Sequence, residues 1–599
     1  MNKEELEKKI KELEGLTNEE KSELLKLLRS KKKYGLVWEE KPEDVVQRLE
    51  DEMPILEEVP ERAIISDDAE APNHVLIEGD NLEALTALSY THAGKIDVIY
   101  IDPPYNTGNK DFMYNDSYVD KEDAYKHSKW LSFINRRMQI AKQLLSGKGV
   151  VFISIDEKEE AQLRLLCDSI FGSNNHLGSL TWESTTQPIN TGKARYQLQQ
   201  KTEWILCYSK NRNLKDDFIL RNGDGKSKSY PYKGRHGYCR LEIIEKSDAG
   251  QYKRSTMKFP IMGVLPRPGK RWQIGQETAK RLVETDRIEI EDGIAKKAIY
   301  PEDEKSKSKF VPFWSFLEAK KVGSALKGKE ELNNIMCKDI GFDTVKPTHL
   351  LTELLCHFKN DSTILDFFAG SGTTLHATMQ LNAEDGGHRR CILATNNENG
   401  ICENVTYERN RRVIQGYTTP KGEEVPGLTH NNLRYYKTKL VSRDKTTKNL
   451  RNLMLLSTDM LCIRNDAYTE KPFADKNINK HIARYFESGD GQRRMLVIYR
   501  EEAIAAIVKL IKQVCEGENH EQKLLVYVFS PNGYAYDDEF EDVADYVTLC
   551  ALPDALLNAY RRVLPKRKPQ LLPEVEQMEA KDNDATQEAG EQSLLDFDN

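Results

Sequence analysis

At 599 residues the chain is several times the size of an ordinary domain, so two to four domains are expected. Its 39% hydrophobic and 31% charged residues describe ordinary cores under a charged surface, and no run approaches the roughly 18 apolar residues of a membrane span. The net charge of −8, from 88 Lys and Arg against 96 Asp and Glu, requires any nucleic-acid binding to come from a local basic region.

The start, MNKEELEKKIKELEG, has no signal-peptide apolar core. Leu6, Ile10, Leu13 and Leu16, then Leu24, Leu25, Leu27 and Leu28, predict two short amphipathic helices in an N-terminal helical module, residues 1–60, that ends in a charged connector. Strand and helix signals alternate over 61–185. They are a strand from His74, a helix over Asn81–Tyr90, an apolar run at Ile96–Ile101, a helix over Trp130–Leu145 and a run at Gly149–Ile155. Such alternation predicts a mostly parallel α/β sheet. Clean periodicity is lost over 186–335, where 31 Lys and Arg face 19 Asp and Glu, a basic island in an acidic chain. Alternation resumes over 336–430, and 431–568 carries the signals of a further α/β module. Residues 569–599 form an acidic tail of low apolar content, predicted to be disordered. Ten cysteines are scattered from Cys167 to Cys550 without a CxxC pair. That fits reduced thiols in a cytoplasmic protein and gives no metal site.

Four constellations carry chemistry. Asp102-Pro103-Pro104-Tyr105 follows the apolar run Ile96–Ile101 directly. Two prolines after a buried strand fix a rigid turn at the carboxyl edge of the sheet, where α/β enzymes bind ligands. A carboxylate, proline carbonyls and an aromatic face there suit a planar ring bearing an amino group. Asp366-Phe367-Phe368-Ala369-Gly370-Ser371-Gly372-Thr373-Thr374 lies between a strand and a helix. Its glycines allow close backbone approach, while the lysine and spacing of a phosphate loop are absent, so a cationic, phosphate-free nucleoside such as S-adenosylmethionine fits. Gly79-Asp80-Asn81 is another strand end before a helix, and Asp80 suits a helix N-cap and a purine amino group equally. Asn396-Asn397-Glu398 follows the strand after the glycine loop, where an adenosine ribose is usually held; which of the three reaches the sugar is open.

At these residues the chain resembles the amino-methyltransferases of DNA. Asp102-Pro103-Pro104-Tyr105 matches their catalytic motif and Phe368-Ala369-Gly370-Ser371-Gly372 their S-adenosylmethionine motif, with about 260 residues between them. Catalytic motif first and cofactor motif second resembles the permuted β class, whose target-recognition region lies in that interval, as the basic island does. Lys33 to Glu39, Gly79 to Leu85, Asp102 to Gly108, Phe152 to Asp156 and Thr395 to Glu398 are similar to the modification subunit of type III restriction–modification systems.

The resemblance implies a Rossmann-like methyltransferase fold with an inserted target-recognition domain and extra terminal modules. It implies N6-adenine methylation in double-stranded DNA, with Asp102, Pro103, Pro104 and Tyr105 catalytic. Asp366, Phe368, Gly370, Gly372 and Thr373 would line the methionine and ribose region of S-adenosylmethionine, Glu398 would hold the ribose, and Asp80 with Asn81 the adenine. Lys346-Pro347 resembles the helical segment on the methionine side. Lys226, Lys228, Lys233 and Arg235 are candidate phosphate contacts. A homodimer and an ATP-driven nuclease partner are implied, with no ATP site in this chain. The alternatives are a stand-alone methyltransferase, N4-cytosine or protein-glutamine methylation, and a non-catalytic specificity subunit.

Overall fold

The computed structural model describes residues 38–566, apart from 109–111, 115–116, 121, 189–194, 197, 213–230, 250–253, 301–312, 343, 475, 477 and 516–521, together with residues 9, 10, 17, 21 and 25. Most of the expected N-terminal helices, Lys226, Lys228 and the acidic tail therefore lie outside the described residues. The chain forms two units, one made of residues 1–218 and 315–599, the other of Ile219–Trp314.

The first unit is built on a ten-stranded sheet. Its strands are β1 (Glu52–Glu58), β2 (Asn73–Glu78), β3 (Ile96–Ile101), β4 (Leu145–Ile155), β5 (His176–Glu183), β6 (Thr202–Ser209), β7 (Phe316–Leu317), β8 (Thr363–Asp366), β9 (Arg390–Thr395) and β10 (Asn432–Ser442). They lie in the order β1-β10-β2-β9-β8-β3-β4-β6-β5-β7. The six from β10 to β4 are mutually parallel, and β1 and β6 run antiparallel to their neighbours. The burial of Val75, Leu76, Ile77, Val98, Ile99, Ile364, Leu365 and Leu393 accounts for the unbroken apolar runs in the sequence.

Its helices include α1 (Asp44–Asp51), α2 (Asn81–Thr91), α3 (Lys126–Leu144), α4 (Ala325–Met336), α5 (Thr373–Asp385) and α6 (Glu408–Gln415). From β3 the chain crosses through α3 to β4 on one side, and from β8 through α5 to β9 on the other. The neighbours β3 and β8 therefore flank the topological switch point, and the crevice at their carboxyl ends is where such sheets bind ligands.

Three expectations are corrected. The connector after residue 39 holds α1 and the sheet strand β1, because the Met53-Pro54-Ile55-Leu56 run is buried between acidic ends. Residues 432–442, placed in the C-terminal module, form β10, paired with β1 and β2. The stretch 186–335 is divided: β6, β7 and α4 belong to the first unit, and only Ile219–Trp314 stands apart.

The C-terminal part adds helices α7 (Thr458–Asn465), α8 (Ile504–Cys515) and α9 (Asp554–Tyr560) and a five-stranded sheet, β11 (Thr469–Lys471) to β15 (Val547–Leu552), with β12 (Ala483–Glu487), β13 (Arg494–Ile498) and β14 (Leu524–Phe529) between. It shares one core with the ten-stranded sheet. Leu461, Leu556 and Tyr560 join the cluster of Leu85 and Leu88, and Arg464 donates to the Tyr90 carbonyl at 2.7 Å. Much of this region therefore serves packing.

The second unit holds a four-stranded antiparallel sheet and the helix Gln276–Glu284 around Ile244, Ile261, Trp272 and Ile288. Lys233 is exposed on its first strand, whereas Arg235 is paired with Asp286.

Among the described residues no helix is long and apolar enough to cross a membrane.

Candidate active site

A cavity of about 700 Å³ opens at the carboxyl ends of β3 and β8, within the first unit. Asp80, Asn81, Asp102, Pro104, Lys346, Asp366, Phe368, Gly370, Thr373 and Glu398 all line it. Residues from five separate stretches of the sequence thus meet in one crevice.

The glycine loop is shaped from below. Gly370 and Gly372 have φ of +49° and +73°, values that favour glycine. A side chain at Gly372 would also meet Asn410 at 2.4 Å, so this glycine does not line the cavity but lets the loop sit down on α6. A Cβ at Gly370 would find only the Phe368 carbonyl, 3.8 Å away, leaving that position open to a ligand. Thr406 Oγ1 donates to the Gly370 carbonyl at 2.6 Å, and the fully buried Arg409 reaches Thr373 Oγ1 at 2.6 Å and Ser371 Oγ at 3.2 Å. Sequence reading missed these two supports, whose effect appears only when α6 folds under the loop.

Asp366 ends β8 with its carboxylate buried. Thr374 Oγ1 donates to it at 2.5 Å and the Phe368 N–H at 3.0 Å. Burial, with a smaller push from the charge of Asp102, raises its pKa to about 7 against those two hydrogen bonds. Phe368 stands beside Phe133, ring centroids 5.8 Å apart, and forms an aromatic wall.

Asp80 caps α2, accepting from the Leu82 N–H at 2.7 Å, and also lines the cavity, so both functions considered for it are compatible. Asn81 accepts from Arg137 Nε, and Arg137 is held by Glu43 at 2.8 Å. Asn396 and Glu398 face the cavity, while Asn397 turns away to accept from the Glu403 N–H at 3.2 Å.

Across the cavity the Asp102-Pro103-Pro104-Tyr105 turn is tied into an ionic cluster. Tyr105 Oη donates to Asp102 Oδ1 at 2.8 Å and lies 3.0 Å from Glu203 Oε2. Lys346 Nζ donates to both Asp102 oxygens, at 2.9 and 2.8 Å, and to Tyr105 Oη at 2.9 Å. It lies 3.4 Å from Glu203. Burial works against the Lys346 charge, but Asp102 and Glu203 more than offset it, so the ammonium is held above the usual lysine range. Burial and then the two carboxylates push the Tyr105 phenol well up, so it stays a hydrogen-bond donor.

Lys346, expected on the cofactor's methionine side, thus directs its ammonium at Asp102. Glu203 was not anticipated at all. The Pro104 carbonyl, expected to be a free acceptor, takes the Trp130 indole N–H at 2.7 Å. A buried indole needs that acceptor, which leaves the Pro103 carbonyl and the Asp102 carboxylate as candidates on this turn.

Chemically the cavity suits a cationic nucleoside rather than a phosphate ester. Asp80, Asp366 and Glu398 supply negative charge. The three basic side chains that line it each face a carboxylate: Arg48 faces Glu83, Arg137 faces Glu43 and Lys346 faces Asp102.

A model of the DNA methylase family, of the N6/N4 type, matches residues 96–412, more than half of the chain. The Type III restriction-modification enzyme StyLTI Mod subunit of Salmonella typhimurium is 30% identical over 357 residues, which cover 54% of this chain and 52% of that protein. The EcoPI Mod subunit of Escherichia phage P1 is 30% identical over 384 residues, covering 54% and 58%. The Type II methyltransferase M.KpnI of Klebsiella pneumoniae is 30% identical over 367 residues, covering 57% of this chain and 84% of that protein. The chain thus spans about half the length of the Mod subunits it matches.

Proposed function

Because the chain belongs to the DNA methylase family, we propose that it transfers a methyl group from S-adenosylmethionine to the N6 amino group of adenine in double-stranded DNA. The observation that carries the reading is the meeting of Asp102 and the Gly370 loop across one cavity at the switch point. S-adenosylmethionine would supply a methyl group already activated on a sulfonium centre. Gly370 with its open approach, Asp366, Glu398 and Asp80 are the residues that would hold it.

The chain's own task is alignment. An amine lone pair must be held in line with the methyl group, which converts a bimolecular encounter into an oriented one. An adenine N6 lone pair is delocalised into the ring. Hydrogen bonds from N6–H to Asp102 and the Pro103 carbonyl would draw it towards tetrahedral geometry and stabilise the positive charge that develops. The reacting nitrogen is out of reach in a stacked duplex, so the base flips out, and the Tyr105 ring offsets part of that cost by stacking.

The leading Asp102 supports adenine over the N4 amine of cytosine, which the same acceptors also fit. Similarity to the two Mod subunits supports a role as the modification subunit of a type III restriction–modification system; a nuclease partner and a homodimeric state are proposed with that role. The Ile219–Trp314 unit is the proposed reader of the target sequence. Incubation with tritiated S-adenosylmethionine and unmethylated genomic DNA tests the activity. Label in DNA without ATP or Mg²⁺ supports it; cofactor bound with no transfer favours a non-catalytic specificity subunit.

A further inference from the structure

The cluster around Asp102 presents a chemical difficulty. Asp102 must face an amine on which positive charge is developing, yet Lys346 already neutralises it. Both Asp102 oxygens accept from the Lys346 ammonium, and among the described residues Oδ2 is held by that ammonium alone. A carboxylate shared with an ammonium is a weaker partner for a developing cation than one set free. The remedy lies within reach: Glu203 is a second carboxylate, 3.4 Å from the same nitrogen.

We propose that Glu203 is a positioning residue for methyl transfer, taking the Lys346 ammonium off Asp102 when a base amine enters; this rests on the methyltransferase reading above. The ammonium need only close the gap between 3.4 Å and ordinary contact. It lies 5.1 and 5.6 Å from the ring centroids of Tyr105 and Trp182, with both Asp102 and Glu203 within ion-pair distance at 2.8 and 3.4 Å. Glu203 is fixed by its pairing with Trp182 across β5 and β6. The backbone that carries Lys346 is wedged against Gly328 of α4, where a Cβ would come within 2.1 Å of the Val345 carbonyl. Tyr105 keeps its bond to Asp102 Oδ1, so the freed carboxylate stays oriented while Oδ2 becomes available. With two carboxylates and one ammonium the cluster keeps a net negative charge opposite the developing cation. Without Glu203 it would be neutral.

The test is single-turnover transfer of label from tritiated S-adenosylmethionine to unmethylated bacterial genomic DNA, with calorimetric affinity for S-adenosylhomocysteine and thermal melting as readouts apart from activity. Glu203→Gln is expected to slow transfer about tenfold, the worth of one hydrogen bond to a charged group, with the DNA concentration for half-maximal rate and the S-adenosylhomocysteine affinity unchanged. Glu203→Asp keeps the charge and should fall between that variant and the wild type. Lys346→Met added to Glu203→Gln removes the ammonium that blocks Asp102 and should restore part of the lost rate, which a merely structural Glu203 would not allow. A Glu203→Gln rate equal to wild type, a Glu203→Asp rate no better than Glu203→Gln, or a double variant no faster than Glu203→Gln overturns the proposal alone. A wild-type chain that labels no DNA overturns the methyltransferase reading and this proposal with it.

Discussion

Asp366 gives the proposed cofactor site a pH signature. Its carboxyl is 2% exposed, and burial holds its pKa at about 7 in the free chain. On the proposed reading a cationic ligand lies against the loop that Asp366 ends, and it favours the ionised form. The sign follows: below pH 7 the neutral acid dominates, so ligand binding tightens as pH rises through 7 and releases a proton. With a pKa of about 7, roughly a tenth of the sites are ionised at pH 6 and roughly nine-tenths at pH 8. Affinity should therefore rise about tenfold over that interval, about 1.4 kcal/mol. Titration calorimetry with S-adenosylmethionine at both pH values, in the absence of DNA, measures the affinity. Repeating it at pH 7 in buffers of different ionisation enthalpy counts the proton, about half of one per site. Asp366→Asn should bind weakly and lose the pH dependence. A wild-type affinity flat from pH 6 to 8 with no proton exchange would refute the assignment of Asp366 to the ligand.

Asp102→Ala should reduce turnover about a hundredfold or more while cofactor affinity survives, because the lost acceptor acts mainly in the transition state; label transfer and calorimetry separate the two. Tyr105→Phe keeps the stacking face but drops the donor to Asp102, so a several-fold loss is expected, smaller than that of Tyr105→Ala in the same assay. Gly328→Ala should lower stability by about 1–3 kcal/mol through overpacking and displace Lys346, seen as a lower melting temperature together with slower transfer. Exchange of residues 219–314 with those of a relative should change the methylated sequence and leave the chemistry intact, whereas exchange of 186–335 also replaces Glu203 and should damage it; sequencing of modified DNA distinguishes them. Light scattering should give a dimer, and a monomeric active enzyme would contradict the dimer proposal.

What could be read in the sequence was local. The runs that became β3 and β8, the turn after Ile101 and the glycine loop each carry their signal within about ten residues, so their place at a sheet edge followed from hydrophobic pattern and turn chemistry. What escaped depends on distant partners. β1 is four buried residues framed by acids, and only its pairing with β10, nearly 400 positions later, makes it a strand. Lys346 reads as part of a segment on the cofactor's methionine side until the fold sets its ammonium against Asp102, 244 residues away. Glu203 fell inside a stretch whose excess of basic residues and lack of periodicity suggested a separate domain. The strand Thr202–Ser209 was legible there as Trp204-Ile205-Leu206-Cys207-Tyr208, but the charge of the surrounding stretch obscured it. Thr406 and Arg409 support the glycine loop from residues whose sequence carries no sign of that contact.

The central claim is methyl transfer to the N6 amine of adenine, with Asp102 as acceptor. The most direct test is to incubate the purified chain with S-adenosylmethionine and unmethylated genomic DNA, digest the DNA to nucleosides and identify the methylated one by mass spectrometry, with Asp102→Ala alongside. The account predicts N6-methyladenosine as its deoxynucleoside from the wild type and almost none from the variant. N4-methylcytosine in its place, or equal N6-methyladenine from Asp102→Ala, would contradict it.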